Sequence, residues 1–289
     1  MGHPVNLPKL TVPELLHEYG IHPNKKLGQN FLLDESILER IVETAQIGPD
    51  GTVIEIGAGL GSLTSHLARR ARQVIAIEID AKLIPPLRQV LASYRNIRLV
   101  EGDVLSLDIN QLISSPGYLV VANIPYYITS ALIRHILEAK IPPRRIILTV
   151  QQEVARRICA TPGDMSLLAL SVQVYGKPTS IFKVPAGAFY PPPQVDSEVI
   201  CIELYPSPMI PLPLLDTFFK LIKAGFSQKR KTLRNALSSG LHQPPEQMEA
   251  LLNAAGIAPQ RRAETLSLSE WNTLTEFFNN RHDENPKVN

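Results

Sequence analysis

Cysteine is scarce in this sequence: among 289 residues only Cys159 and Cys201 are cysteine, in neither a CxxC pair nor a metal-ligand spacing. That excludes a disulfide framework or a structural zinc site as the source of stability; no metal is assigned, and both thiols are expected reduced in the core. Also missing is any apolar run of the roughly eighteen residues that a membrane helix needs, so no membrane span is expected. Residues 1–9 carry no apolar signal region, which points to a cytoplasmic rather than a secreted protein. No internal repeat suggests a solenoid. The net charge of +2 makes the chain neither strongly basic nor strongly acidic. One absence is local: residues 220–234 contain no Asp or Glu.

What is present is ample core in a regular alternation. Apolar residues make up 44% of the chain, ordinary for a globular protein, and the length suits one large domain plus a smaller one. Residues 34–44 carry helical spacing through Ile37, Leu38, Ile41 and Val42. Short apolar stretches at 53–56, 74–77, 97–100, 119–122 and 146–150 read as buried strands, and 62–71, 81–92 and 128–139 as the helices between them. This alternation predicts an α/β fold, a parallel Rossmann-like sheet covered on both faces. Strands near 181–184 and 199–204 would complete it. Residues 1–24 read as an irregular extension, leaving 25–206 as the sheet domain. Pro206, Pro208, Pro211 and Pro213 then read as a linker. Beyond it, 214–224, 231–238, 245–255 and 267–278 are helical in pattern. Asp216, Ser267 and Ser269 mark helix starts, and Gly225, Gly240 and Gly256 helix ends. Residues 207–281 thus predict a small C-terminal helical domain, with 282–289 as a tail.

That helical domain carries the main basic stretch. Lys220, Lys223, Lys229, Arg230, Lys231 and Arg234 lie together without a compensating acid, and Lys25 and Lys26 form a second basic spot. A single basic pair is usually just a solvated face, but several clusters in one chain point to a polyanion such as RNA, because Lys and Arg gain affinity by releasing phosphate counterions.

The chemistry is written at strand ends. Gly57, Gly59 and Gly61 follow the first strand and precede a helix, the place for a tight turn that a ligand can approach closely. Glycines in this pattern also suit a dinucleotide dehydrogenase. Glu55 before the turn, and a third glycine one residue earlier than in the dinucleotide fingerprint, favour S-adenosylmethionine. Glu78 ends the second strand, where a carboxylate can accept hydrogen bonds from two ribose hydroxyls. It is preferred over Asp80 because strand alternation turns Ile77 and Ile79 the other way. Asp103 and the Val104 N–H, after the third strand, suit the amino group and a ring nitrogen of the cofactor's adenine. Asn123-Ile124-Pro125-Tyr126 ends the fourth strand. An adenine amino nitrogen is a poor nucleophile because its lone pair is delocalised. Asn123 Oδ1 and the Ile124 carbonyl can each accept one N–H, Pro125 stiffens the turn, and Tyr126 offers a stacking face. Methyl transfer to an adenine amine is the reading these residues support together.

Lys26-Leu27-Gly28-Gln29-Asn30-Phe31-Leu32, the glycine turn, Glu78, Asp103, Asn123 to Tyr126, the stretch from Phe189 to Ser197, and the stretch from Phe226 to Asn235 together resemble the ribosomal RNA adenine N6,N6-dimethyltransferase family over residues 25–278. The resemblance is to its small-subunit (16S, kasugamycin-sensitivity) branch, through residues 229–235 and Arg262-Ala263-Glu264, more than to the large-subunit, macrolide-resistance branch. It implies an S-adenosylmethionine-dependent enzyme that dimethylates two adjacent adenines near the 3′ end of small-subunit ribosomal RNA. The substrate would be the RNA or the assembled subunit, and the enzyme a monomer. It also implies cofactor contacts at Asn30, Leu32, Gly57, Glu78, Asp103 and Asn123, with Asn123, Tyr126 and Phe189 holding the target base. A ribosome assembly factor on the same fold, without catalysis, is the alternative from another class.

Overall fold

The computed structural model describes residues 11–113, 115–124 and 128–283. The chain runs α1 (Val12–Glu18), β1 (Phe31–Leu32), α2 (Glu35–Ala45), β2 (Thr52–Ile56), α3 (Ser62–Ala68), β3 (Gln73–Glu78), α4 (Ile84–Leu91) and β4 (Ile97–Glu101). It continues through β5 (Leu119–Asn123), α5 (Thr129–Leu137), β6 (Arg145–Gln151), α6 (Gln152–Ile158), α7 (Leu167–Gln173), β7 (Gly176–Val184), β8 (Phe189–Tyr190) and β9 (Ser197–Leu204). Helices α8 (Leu215–Phe226), α9 (Leu233–Leu241), α10 (Pro245–Ala254) and α11 (Leu268–Asp283) follow.

Among the described residues a seven-stranded sheet has the order β4-β3-β2-β5-β6-β9-β7. The pairs β2–β3, β3–β4, β2–β5 and β5–β6 are all parallel, which accounts for strands that read as unbroken apolar runs. The order reverses between β2 and β5. In open parallel sheets, ligands bind in the crevice outside the carboxyl ends of strands at such a reversal. Here those ends are Ile56, followed by the glycine turn, and Asn123.

Two compact units divide the chain: one holds residues up to Gln152 together with Ile181–Cys201, the other Glu153–Ser180 and the residues from Ile202 onward. In the first, α2 is capped by Asp34, whose side chain accepts from the Ile37 N–H at 3.1 Å. The buried stripe Ile37, Leu38, Ile41, Val42 and Ala45 faces the strand residues Val53, Val74, Leu119 and Val121. In the second, Trp271, Phe218, Leu221, Leu237 and Leu251 centre the core, joined by Met165, Ala169 and Leu170. These last residues explain why the division lies upstream of the proline-rich stretch: α7 buries its apolar side in the helical core. The stretch at 167–173 is too short to show period in the sequence.

Two local readings need correction, the irregular start and the core placement of Cys159. Residues 12–18 are not irregular but form α1, with Glu14 closing a capping box on Thr11 and Val12, Leu15 and Leu16 buried. Gly225 and Gly240 are the next-to-last residues of α8 and α9, at the helix ends as expected. A Cβ on Gly240 would stand 2.7 Å from Ala224 Cα, so its small size serves close helix crossing. Gly256, with φ of +71°, stands just past the end of α10. Cys201 is buried and Cys159 partly exposed.

Candidate cofactor cleft

An open cleft of about 860 Å³, its solvent-filled mouth included, lies in the first unit at the β2/β5 reversal. Of the residues named from sequence, Asn30, Leu32, Glu55, Gly57, Gly59, Glu78, Asn123 and Phe189 line it. The ends of five strands, β1, β2, β3, β5 and β8, with the Asn30 loop and the glycine turn, bring them together. The antiparallel β1–β8 pair sets Leu32 opposite Phe189, and the Leu33 N–H donates to the Ala188 carbonyl at 2.9 Å. This small clamp places the Asn30 loop and the Phe189 ring on one wall.

The glycines divide by role. Gly57, with φ of +79°, lies where a Cβ would be 3.5 Å from the Asn123 carbonyl oxygen, so the turn and the β5 end are neighbours. Gly59 donates its N–H to Glu78 Oε2 at 2.7 Å. Gly61 does not line the cleft: a Cβ there would be 2.9 Å from Leu87 Cδ1 of α4, so it is a packing glycine at the start of α3.

Both acids of the cleft are buried, Glu55 to 1% and Glu78 to 5% exposure. Burial pushes the Glu55 carboxyl up to about 8; the Thr64 hydroxyl opposes this and the Glu78 charge adds to it. Glu55 Oε2 has no hydrogen-bond partner among the described residues. Burial also raises Glu78, opposed by the N–H groups of Asp80 and Gly59. A buried carboxyl with an orphan oxygen in a cleft costs stability and is the mark of a ligand site.

Asn123 donates from Nδ2 to the Asn30 carbonyl at 3.1 Å. That bond fixes the amide plane and assigns its acceptor end, Oδ1, to the other side. Pro125 and Tyr126, together with Tyr127, lie outside the described residues.

Other placements differ from the sequence reading. Asp103 is exposed and accepts from the Leu105 N–H at 2.9 Å, Val104 is buried, and neither lines the cleft. They follow β4, which is two strands removed from β2. Asp80 is engaged at both oxygens, accepting from Gln29 Nε2 at 2.7 Å and from the Lys82 N–H at 3.0 Å. Ile79, expected to point away from Glu78, lines the cleft with it and is 47% exposed, because β3 stops at Glu78 and alternation stops with it. Sequence reasoning also missed Gly28, Gln29, Ser62, Ile79 and Leu83 as lining residues. An apolar residue directly after a strand-end acid was the available signal for Ile79.

Of the basic residues, Lys25, Lys26, Lys220, Lys223, Lys229, Arg230 and Lys231 are exposed, with Lys220 Nζ 5.8 Å from the Phe278 ring centroid. Arg234 is half-buried and paired with Glu249 at 2.7 Å, so its charge is already compensated.

A chain with this sheet and cleft has counterparts. The family described as ribosomal RNA adenine dimethylase matches residues 21–280. A protein of Dehalococcoides mccartyi strain CBDB1, called ribosomal RNA small subunit methyltransferase A, is 47% identical over 262 residues, 90% of either chain. The protein of that name from Alkaliphilus metalliredigens is 44% identical over 91% of this chain and 94% of its own. Among solved structures, a dimethyladenosine transferase from Plasmodium falciparum superposes with a TM-score of 0.76 at 27% identity over 87% of this chain and 98% of that one. The 23S rRNA methyltransferase ErmE gives 0.71 at 31% identity, over 86% of this chain and all (100%) of that one.

Proposed function

The chain belongs to the ribosomal RNA adenine dimethylase family, and from that premise we propose how its own residues perform the family's reaction. It is an S-adenosylmethionine-dependent enzyme that dimethylates the N6 amino groups of two adjacent adenines near the 3′ end of small-subunit ribosomal RNA. The small-subunit relatives at 44–47% identity outrank the large-subunit enzyme at 31%.

The residues fit the cofactor. Glu78 offers carboxylate lone pairs to a ribose diol beside Ile79, Asn30, Leu32, Gly57 and Gly59 form the surrounding walls, and the orphan Glu55 oxygen waits behind the turn. Asp103 and Val104 are assigned to the cofactor's adenine end. When bound, S-adenosylmethionine supplies an electrophilic methyl group on a good leaving group.

The observation that carries the mechanism is the Asn123 amide. With Nδ2 committed to the Asn30 carbonyl, Oδ1 accepts one N–H of the target amine and the Ile124 carbonyl accepts the other. Two acceptors turn the nitrogen lone pair outward and favour its tetrahedral form, a gain made mostly in the transition state. Phe189 and Tyr126 hold the base between aromatic faces, with Pro125 fixing the turn. After the first transfer one N–H remains for one acceptor, so the same arrangement serves a second methylation. No side chain is required as a general base, since the released proton passes to water.

Lys25, Lys26, Lys220, Lys223, Lys229, Arg230 and Lys231 grip RNA phosphates, with Arg234 contributing least. The enzyme acts as a cytoplasmic monomer on the small subunit or its RNA, where unstacked bases lower the cost of presenting an adenine. Labelled S-adenosylmethionine offered with undermethylated small subunits, and separately with large-subunit RNA, tests this. Label at two adjacent small-subunit adenines is expected. Label confined to large-subunit RNA would move the chain to the resistance branch, and none in either would leave an assembly factor.

A further inference from the structure

The cofactor cleft has a roof, the segment 28–30, and that roof is tied to the sheet at two strand ends. At the β5 end the tie is the Asn123 amide on the Asn30 carbonyl, 3.1 Å. At the β3 end it is Gln29, whose Nε2 donates to Asp80 Oδ2 at 2.7 Å. The Gln29 amide cannot be reversed, because the Asn24 N–H donates to its Oε1 at 2.7 Å while the Asp80 carboxylate demands a donor.

Asp80 faces inward as well. Its N–H donates to Glu78 Oε1 at 2.9 Å, and Glu78 Oε2 takes the Gly59 N–H at 2.7 Å. The result is one continuous chain of hydrogen bonds, Asn24 to Gln29 to Asp80 to Glu78 to Gly59, from the roof through the ribose acid to the glycine turn. Asp80 itself lines no part of the cleft.

We infer that Gln29 and Asp80 form a latch that positions the roof over the cofactor and sets the orientation of the Glu78 carboxylate. Both are positioning residues: Asp80 acts through Gln29 and Glu78, and Gln29 acts through the backbone of Gly28 and Asn30. A bond between a carboxylate and an amide, half shielded from water, is strong enough to hold a loop of this length and weak enough to open when ligand enters. The inference rests on the reading of this cleft as the S-adenosylmethionine site.

The test is calorimetric binding of S-adenosylmethionine to the full chain, with the melting temperature of ligand-free protein measured alongside. Gln29→Ala, Asp80→Ala, the double variant and Gln29→Lys, which keeps a donor for Asp80, are compared with the parent. Each alanine variant is expected to weaken binding on the order of tenfold, since a hydrogen bond to a charged group is lost. The double variant should be no weaker than the poorer single one, because both remove the same bond. Gln29→Lys should recover most of the affinity, and the ligand-free melting temperature of Gln29→Ala should match the parent. Parent-like affinity in Gln29→Ala, or losses that multiply in the double variant, would overturn the latch. If Asp80→Ala does not fold, Gln29→Ala and Gln29→Lys still decide. A parent protein that fails to bind S-adenosylmethionine would overturn the cleft assignment and the latch with it.

Discussion

Glu55 shows how much chemistry one side chain can impose. It sits on a central strand with 1% of its surface exposed, between Val121 of β5 and Ala76 of β3 in register. In the unfolded chain its carboxyl titrates near the ordinary 4.5, in the fold near 8. Between those values the native state keeps a proton that the unfolded state has released. Glu55 therefore burdens the fold least on the acid side, and stability falls as pH rises through the window, by at most about 1.4 kcal/mol per pH unit. Glu55→Gln, which removes the titration and keeps the shape, should flatten the fall of melting temperature from about pH 5 to about pH 8. A variant with the parent's slope would show that Glu55 is not the group responsible. Asn123 is the residue whose loss should cost most activity. Asn123→Ala removes the acceptor for the target amine, and turnover should drop about 10²- to 10³-fold, read in single-turnover assays at saturating cofactor.

At the scale of the element, the glycine turn separates packing from binding. Gly61 has φ of +83° and a Cβ there would meet Leu87 at 2.9 Å, while Gly48 has open space around it. Gly61→Ala should therefore destabilise by roughly 1–3 kcal/mol, and Gly48→Ala should not, as denaturant melts would report. Sequence could not separate these roles, because all three glycines share one spacing. What a sequence does show is periodicity long enough to count and a residue type that fits one job. The five parallel strands, α2 and the strand-end acids were legible for that reason, as was Asn123 ahead of its proline. The β1–β8 clamp was not: two residues per strand carry no period, and their pairing spans most of the chain. Asp103 stands beyond the cleft lining, so its assignment to the cofactor's adenine end rests on its residue type and its place just after β4.

Over the whole molecule, the cleft and the longest basic stretch belong to different units. The sheet unit contains the cleft, and the helical unit carries the acid-free basic stretch. Replacing Lys229, Arg230 and Lys231 together by Ala should weaken RNA binding and leave S-adenosylmethionine affinity intact. It should also reduce the slope of log affinity against log salt by about 2, the share of three phosphate contacts on single-stranded RNA. An unchanged slope would remove these three from the interface. Both units serve one product, which is read from the modified nucleosides of undermethylated small subunits treated with parent or Asn123→Ala protein. N6,N6-dimethyladenine is expected at two adjacent positions with the parent and almost none with the variant. Dimethylation by Asn123→Ala at the parent's rate would contradict this expectation.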